Sequence, residues 1–160
     1  MPDGKILVAE HQGTSVIKLV GDVRLTLCTT IDGYLSRMFS SPKFSGVLID
    51  LSDAECIDST SLGLLAKVAV QSKQHYRQVP IILSPNPDIT RLLDSMGFNK
   101  VFDICDTVAE PASELGELPI VCADEDCVRD KVIEAHRVLM DLNEKNRKTF
   151  SPLMDMLAAS

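Results

Sequence analysis

"LIDLSDAECIDSTSLGLLAKVAV", residues 48–70, decides the fold. Residues 46–52 (GVLIDLS) are an apolar run of strand length, short and nearly continuous, which predicts a strand buried on both faces. An acidic turn follows and stops at Asp58-Ser59-Thr60-Ser61. Leu62, Leu65, Val68 and Ala69 then recur at helical spacing, which predicts a helix over 61–76. A strand thus hands over directly to a helix, with a carboxylate and three hydroxyls crowded at the junction.

The same reading extends outward. Residues 6–10 and 16–23 read as strands, and the His-Gln-Gly-Thr-Ser between them supplies turn chemistry for a hairpin. In 26–39, Leu27, Ile31, Leu35 and Met38 mark an amphipathic helix, weakened by Gly33 and ended by Ser40-Ser41-Pro42. A second buried strand is expected over 79–84. A short helix follows over 89–96, capped by Asp88 and stopped before Gly97. Residues 101–105 complete the core. The order β-β-α-β-α-β-α-β implies βαβ crossovers and a mixed, mostly parallel α/β sheet of about five strands.

Beyond Asp106 the pattern changes. Pro111, Gly116 and Pro119 mark a linker over 111–123, with a short strand at 119–122 as an alternative. A long helix is expected over 124–147, acidic at its start and basic at its end, as the helix dipole favours. Val128, Val132, Ala135, Leu139 and Leu142 step by four, three, four and three, a heptad-like seam that needs something to dock on. That surface is its own domain, a second copy in a homodimer, or another partner. Ser151-Pro152 suits the start of a final short helix. The division is a domain over 1–110, a linker, and a helical extension over 124–160.

The chain has 160 residues and a formal charge of −7, unlike the basic face that nucleic acid or an anionic membrane requires. The start, MPDGKILVAEH, has no signal-peptide core, and no apolar run reaches the ~18 residues of a membrane helix, so a soluble cytoplasmic protein is expected. Five scattered cysteines suit a reducing compartment. His11, His75 and His136 form no recognisable ligand set, and no metal or cofactor is expected.

With these elements in place, the junction resembles a known family. Leu48-Ile49-Asp50-Leu51-Ser52 followed by Cys56-Ile57-Asp58-Ser59-Thr60-Ser61-Leu62-Gly63 is similar to the signature of STAS domains, in particular the anti-sigma factor antagonists. Leu19-Val20-Gly21-Asp22-Val23 is similar to that family's Gly-Glu/Asp-Leu stretch, and the element order agrees. The resemblance covers about residues 5–110. It departs at Ser61, where Gly is usual, and at Arg24, where many members carry an acid.

The resemblance implies a STAS fold and a binding switch without catalysis. The serine after the aspartate, here Ser59, would be phosphorylated by a serine kinase of the ATP-binding histidine-kinase-like fold, often the anti-sigma factor itself. A PP2C-type phosphatase would remove the phosphate. The partner-binding surface implied is Asp22, Arg24, Asp58, Ser59, Thr60, Ser61 and Leu62, with Thr60 the second choice of acceptor. The unmodified form would bind and the phosphorylated form release.

Physical chemistry favours the same place. A helix start gathers unpaired N–H groups and the positive end of the dipole. Ser59 or Thr60 is expected to cap it, worth ~1 kcal/mol. A phosphate would add about −1.5 to −2 charges, which Asp58 beside it, and Asp53 and Glu55, would repel. An alternative keeps the switch but directs it at a flagellar regulator, a diguanylate cyclase or a stress complex. A more distant one is a small serine hydrolase. Ile57 and Ser61 stand where Gly-x-Ser-x-Gly requires glycines, and no histidine has an identifiable triad role.

Overall fold

The computed structural model describes residues 4–107 and 114–159. Strands β1 (Lys5–His11) and β2 (Thr14–Val23) form the expected hairpin, pairing Lys5 with Val20 through His11 with Thr14. The turn is only Gln12-Gly13, both at positive φ, the geometry that matches strand twist. Gly13 is required there twice over, since a Cβ would also lie 2.2 Å from the Lys43 carbonyl oxygen.

A one-turn 3-10 helix (Leu25–Leu27) leads into α1 (Cys28–Ser40). Next come β3 (Gly46–Asp50), β4 (Ala54–Ile57), α2 (Ser59–Tyr76), β5 (Ile81–Leu83) and α3 (Pro87–Ser95). A second 3-10 turn (Phe98–Lys100) precedes β6 (Asp103–Cys105). Among the described residues the sheet runs β6-β5-β3-β2-β1-β7, with β4 also paired to β2. The β2–β3, β2–β4, β3–β5 and β5–β6 pairs are parallel, and β1 is antiparallel to both of its neighbours. The mixed, mostly parallel α/β sheet is therefore present, with seven strands where about five were expected.

The additional strands are β4 and β7 (Gly116–Glu117). β4 lies in what reads as an acidic turn. It forms because a register shift at Gly21/Asp22 lets the end of β2 take a second parallel partner. β7 pairs with β1 inside the expected linker, and the alternative strand at 119–122 does not form. Residues 111–113 of that linker lie outside the described residues. β3 also differs from expectation. Val47 and Ile49 are buried, but Leu48 and Asp50 only half-buried, so one face of the strand is better covered than the other.

The core is one apolar cluster. Ile6, Leu19 and Ile49 from the sheet, Leu35 of α1, and Leu62 and Leu65 of α2 are all nearly sealed from water. It extends to Leu139 and Phe150 in the C-terminal segment. There the single long helix expected over 124–147 is two: α4 (Glu125–Leu142) and α5 (Glu144–Ala159). Asn143 between them is extended (φ −164, ψ 167). Its Oδ1 accepts from the Asn146 N–H, and its Nδ2 donates to the Met96 carbonyl. Asn143 thus caps α5 while tethering the bend to the loop after α3, a partnership invisible in local sequence. Pro152 consequently lies inside α5 and not at its start. The middle of the α4 seam docks on the same chain, with Ala135 against Gly63 of α2 and Leu139 in the core, while Val128, Val132 and Leu142 stay half-buried.

Candidate functional site

The junction between β4 and α2 is built by Asp58. Its backbone is extended, and its N–H donates to the Val23 carbonyl, fastening it to the end of β2. Its Oδ1 accepts from the Ser61 N–H at 2.8 Å, and its Oδ2 accepts from the Leu25 N–H at 2.7 Å. One carboxylate therefore caps α2 and holds the 3-10 turn before α1. The helix begins at Ser59, two residues earlier than its apolar periodicity suggests, and the cap is Asp58 where Ser59 or Thr60 was expected. An ionised acceptor at a helix start is stronger than a hydroxyl. Asp58→Ala should cost about 1–2 kcal/mol, read as a urea-midpoint shift. Asp58→Asn, with one carbonyl oxygen, should retain only part of that.

Because Asp58 does the capping, the Ser59 hydroxyl is free for another partner. Its Oγ lies 2.8 Å from His136 Nε2 on α4. His136 Nδ1 lies 2.7 Å from the Val132 carbonyl oxygen, which can only accept, so Nδ1 carries the proton. In the neutral ring Nε2 is then the acceptor and the Ser59 hydroxyl the donor. His136 is 1 % exposed and Ser59 half-buried. His136 was among the histidines that form no ligand set in the sequence. Its partner is 77 residues away, and the only local hint is its place beside Ala135 on the seam.

The rest of the implied surface divides in two. Asp22 and Arg24 form an ion pair, and the Cys56 thiol donates to Asp22 Oδ1 at 2.7 Å. Arg24 is largely exposed, so the departure from the family pattern neutralises Asp22 at the surface. Asp22, Arg24, Asp58 and Ser59 therefore gather around the strand ends. Thr60 (4 % exposed), Ser61 (1 %) and Leu62 (1 %) turn inward. They were expected on the partner surface, but the helix rotates them into the core, with Ser61 Oγ facing the Val23 carbonyl.

A second polar cluster lies between the helices. Asp32 of α1 meets Lys67 of α2 at 2.9 Å and also pairs with Lys131 of α4. Lys67 meets Glu134 of α4 at 2.5 Å. Burial pushes the Asp32 carboxyl up, but Lys131 and Lys67 more than reverse this and hold it below the usual carboxylate range. Cys28, beneath the junction, is 1 % exposed, and burial together with Asp58 pushes its thiol up to about 12. It is a packed, protonated side chain at neutral pH. Among the described residues no group of three His, Cys, Asp or Glu is placed to hold a metal ion. Nor is any helix there long and apolar enough to cross a membrane.

Comparison with known proteins bears on the same region. The family model for the STAS domain matches residues 5–111. A putative anti-sigma factor antagonist of Thermotoga neapolitana, the TM1081 homolog, is 30% identical over 77 residues, covering 48% of this chain and 67% of the relative. The crystal structure of an anti-sigma factor antagonist from Mycobacterium paratuberculosis superposes with a TM-score of 0.53 at 24% identity, over 66% of this chain and 88% of that one. The anti-sigma factor antagonist SpoIIAA in its unphosphorylated form gives 0.54 at 17% identity, over 65% and 89%. The family match stops at residue 111, so α4 and α5 lie beyond it.

Proposed function

This chain belongs to the STAS domain family, and on that premise we propose that it is an anti-sigma factor antagonist switched by phosphorylation of Ser59. The observation that carries this reading is the division of labour at the helix start. Asp58 caps α2, so the Ser59 hydroxyl can be modified without removing the cap. The scaffold keeps its fold while the surface beside Asp22, Arg24 and Asp58 gains charge. The partner is an anti-sigma factor that is also a serine kinase of the histidine-kinase-like ATPase fold, and a PP2C-type phosphatase resets the switch. A phosphate of about −1.5 to −2 charges buried uncompensated in such an interface costs several kcal/mol, enough to release the partner. The burial of Thr60 favours Ser59 as the acceptor.

The test is calorimetric titration of full-length variants against the anti-sigma factor. Ser59→Ala should bind at least as well as the unmodified chain, and Ser59→Asp at least tenfold more weakly. Equal affinities would remove the switch.

One observation favours a second reading, a serine hydrolase: the Ser59–His136 hydrogen bond has the form of a nucleophile and its base. Against it, His136 is oriented by a carbonyl and not a carboxylate, and the Ser61 N–H at the helix start is already taken by Asp58. Turnover on an ester panel, abolished by Ser59→Ala, would establish it.

A further inference from the structure

We infer that the α4–α5 hairpin is an internal lid on the switch: docked α4 covers the Ser59 hydroxyl, which a kinase reaches only as the hairpin opens, and a phosphate on Ser59 then keeps the hairpin expelled. The inference rests on the reading of Ser59 as the phosphoacceptor.

Three contacts carry it, all between α4 and the helices beneath. The first is His136 on Ser59, 2.8 Å apart. The second is backbone contact. A Cβ on Gly63, one turn beyond Ser59, would lie 2.2 Å from the Ala135 carbonyl oxygen and 2.6 Å from the Ala135 Cβ. The third is the ion cluster, where Lys131 and Glu134 of α4 close on Asp32 and Lys67. These residues occupy one to two turns of α4, so the helix cannot tilt away from Ser59 while keeping the other two contacts.

Phosphorylation conflicts with the first contact in two ways. Transfer of the γ-phosphoryl group of ATP forms an Oγ–P bond, breaks the bond from the γ-phosphorus to the bridging oxygen, and releases ADP. The Ser59 hydroxyl proton passes to the kinase's general base in the same step, so the O–H that faced His136 Nε2 is gone. A phosphorus and three oxygens must then occupy space that His136 fills at hydrogen-bond distance. Packed interiors have two arrangements and not a continuum, so α4 leaves as a unit. Departure uncovers Gly63 and the first turns of α2.

The test uses the full-length chain with phosphoserine installed at position 59 by codon suppression, compared with the unmodified chain by hydrogen–deuterium exchange. Peptides from Glu125 to Ala159 are expected to exchange at least tenfold faster with phosphate in place, while those of β2, β3 and β5 are unchanged. Ser59→Ala, which removes the hydrogen bond but adds no bulk, should stay within about threefold of the unmodified chain. Gly63→Leu should loosen the same helices by bulk alone. Protection of α4 retained in the phosphoserine chain would overturn the lid, as would loss of protection across the strands. No kinase or partner enters this readout. A failed affinity test on Ser59→Asp would therefore sink the switch and leave the lid's mechanics standing, and retained α4 protection would do the reverse.

Discussion

Asp32→Ala is expected to destabilise the folded chain by about 3–5 kcal/mol, toward the lower end because both lysines keep some access to water. The Asp32 side chain is only 10% exposed and stands between Lys67 and Lys131. The cluster of Asp32, Glu134, Lys67 and Lys131 is neutral as built. Removing one carboxylate leaves two half-buried ammonium groups facing a single acid, and the uncompensated charge sets the cost. Urea denaturation of the two proteins measures it. The acid limb offers a second check. The folded-state pKa of Asp32 lies below its unfolded value, so its contribution is complete above the ordinary carboxylate value of ~3.9. It is lost as pH falls through the lowered folded value. In Asp32→Asn this part of the acid dependence should be missing. An unchanged acid limb would show that the cluster is not coupled to folding.

The second large effect is expected at Leu139→Ala. Leu139 is 0% exposed and belongs to the same cluster as the sheet residues. Truncating a sealed leucine costs about 2–5 kcal/mol through lost transfer energy and the cavity left behind. On a loosely attached extension the same change would be nearly silent. Because the lid can depart while the sheet remains, the loss should show first as faster exchange of α4 and α5, ahead of the main unfolding transition. Met156, 72 % exposed on α5, is the control. Met156→Ala should move neither.

These expectations separate what local pattern reveals from what it conceals. The hairpin, α1, α2 and β3 were legible because period and turn chemistry are local. Gln12-Gly13 and the apolar steps of α2 need no distant partner to be read. β4 was not legible, because its strand character comes from a register shift in β2 and not from its own Ala-Glu-Cys-Ile. Asn143 carried a cap residue's chemistry, yet within a pattern helical on both sides it read as one more turn. Its tie to the Met96 carbonyl ends the helix there. The seam of α4 was plain as a seam, without any mark of which surface it meets.

By itself the order of residues determined the α/β class, the strand-to-helix junction at Asp58-Ser59 and the acidic character of the chain. All of these follow from interactions within a few residues or from summed charge. Tertiary structure alone decided that the Asp58 carboxylate also holds the Leu25 N–H, that Thr60, Ser61 and Leu62 face inward, and that His136 closes over Ser59. Ser59 and His136 stand 77 residues apart, and Asp32 and Lys131 stand 99 apart. Such pairs are set by how whole helices stack, and a packing angle is a property of two surfaces together, written in neither segment alone.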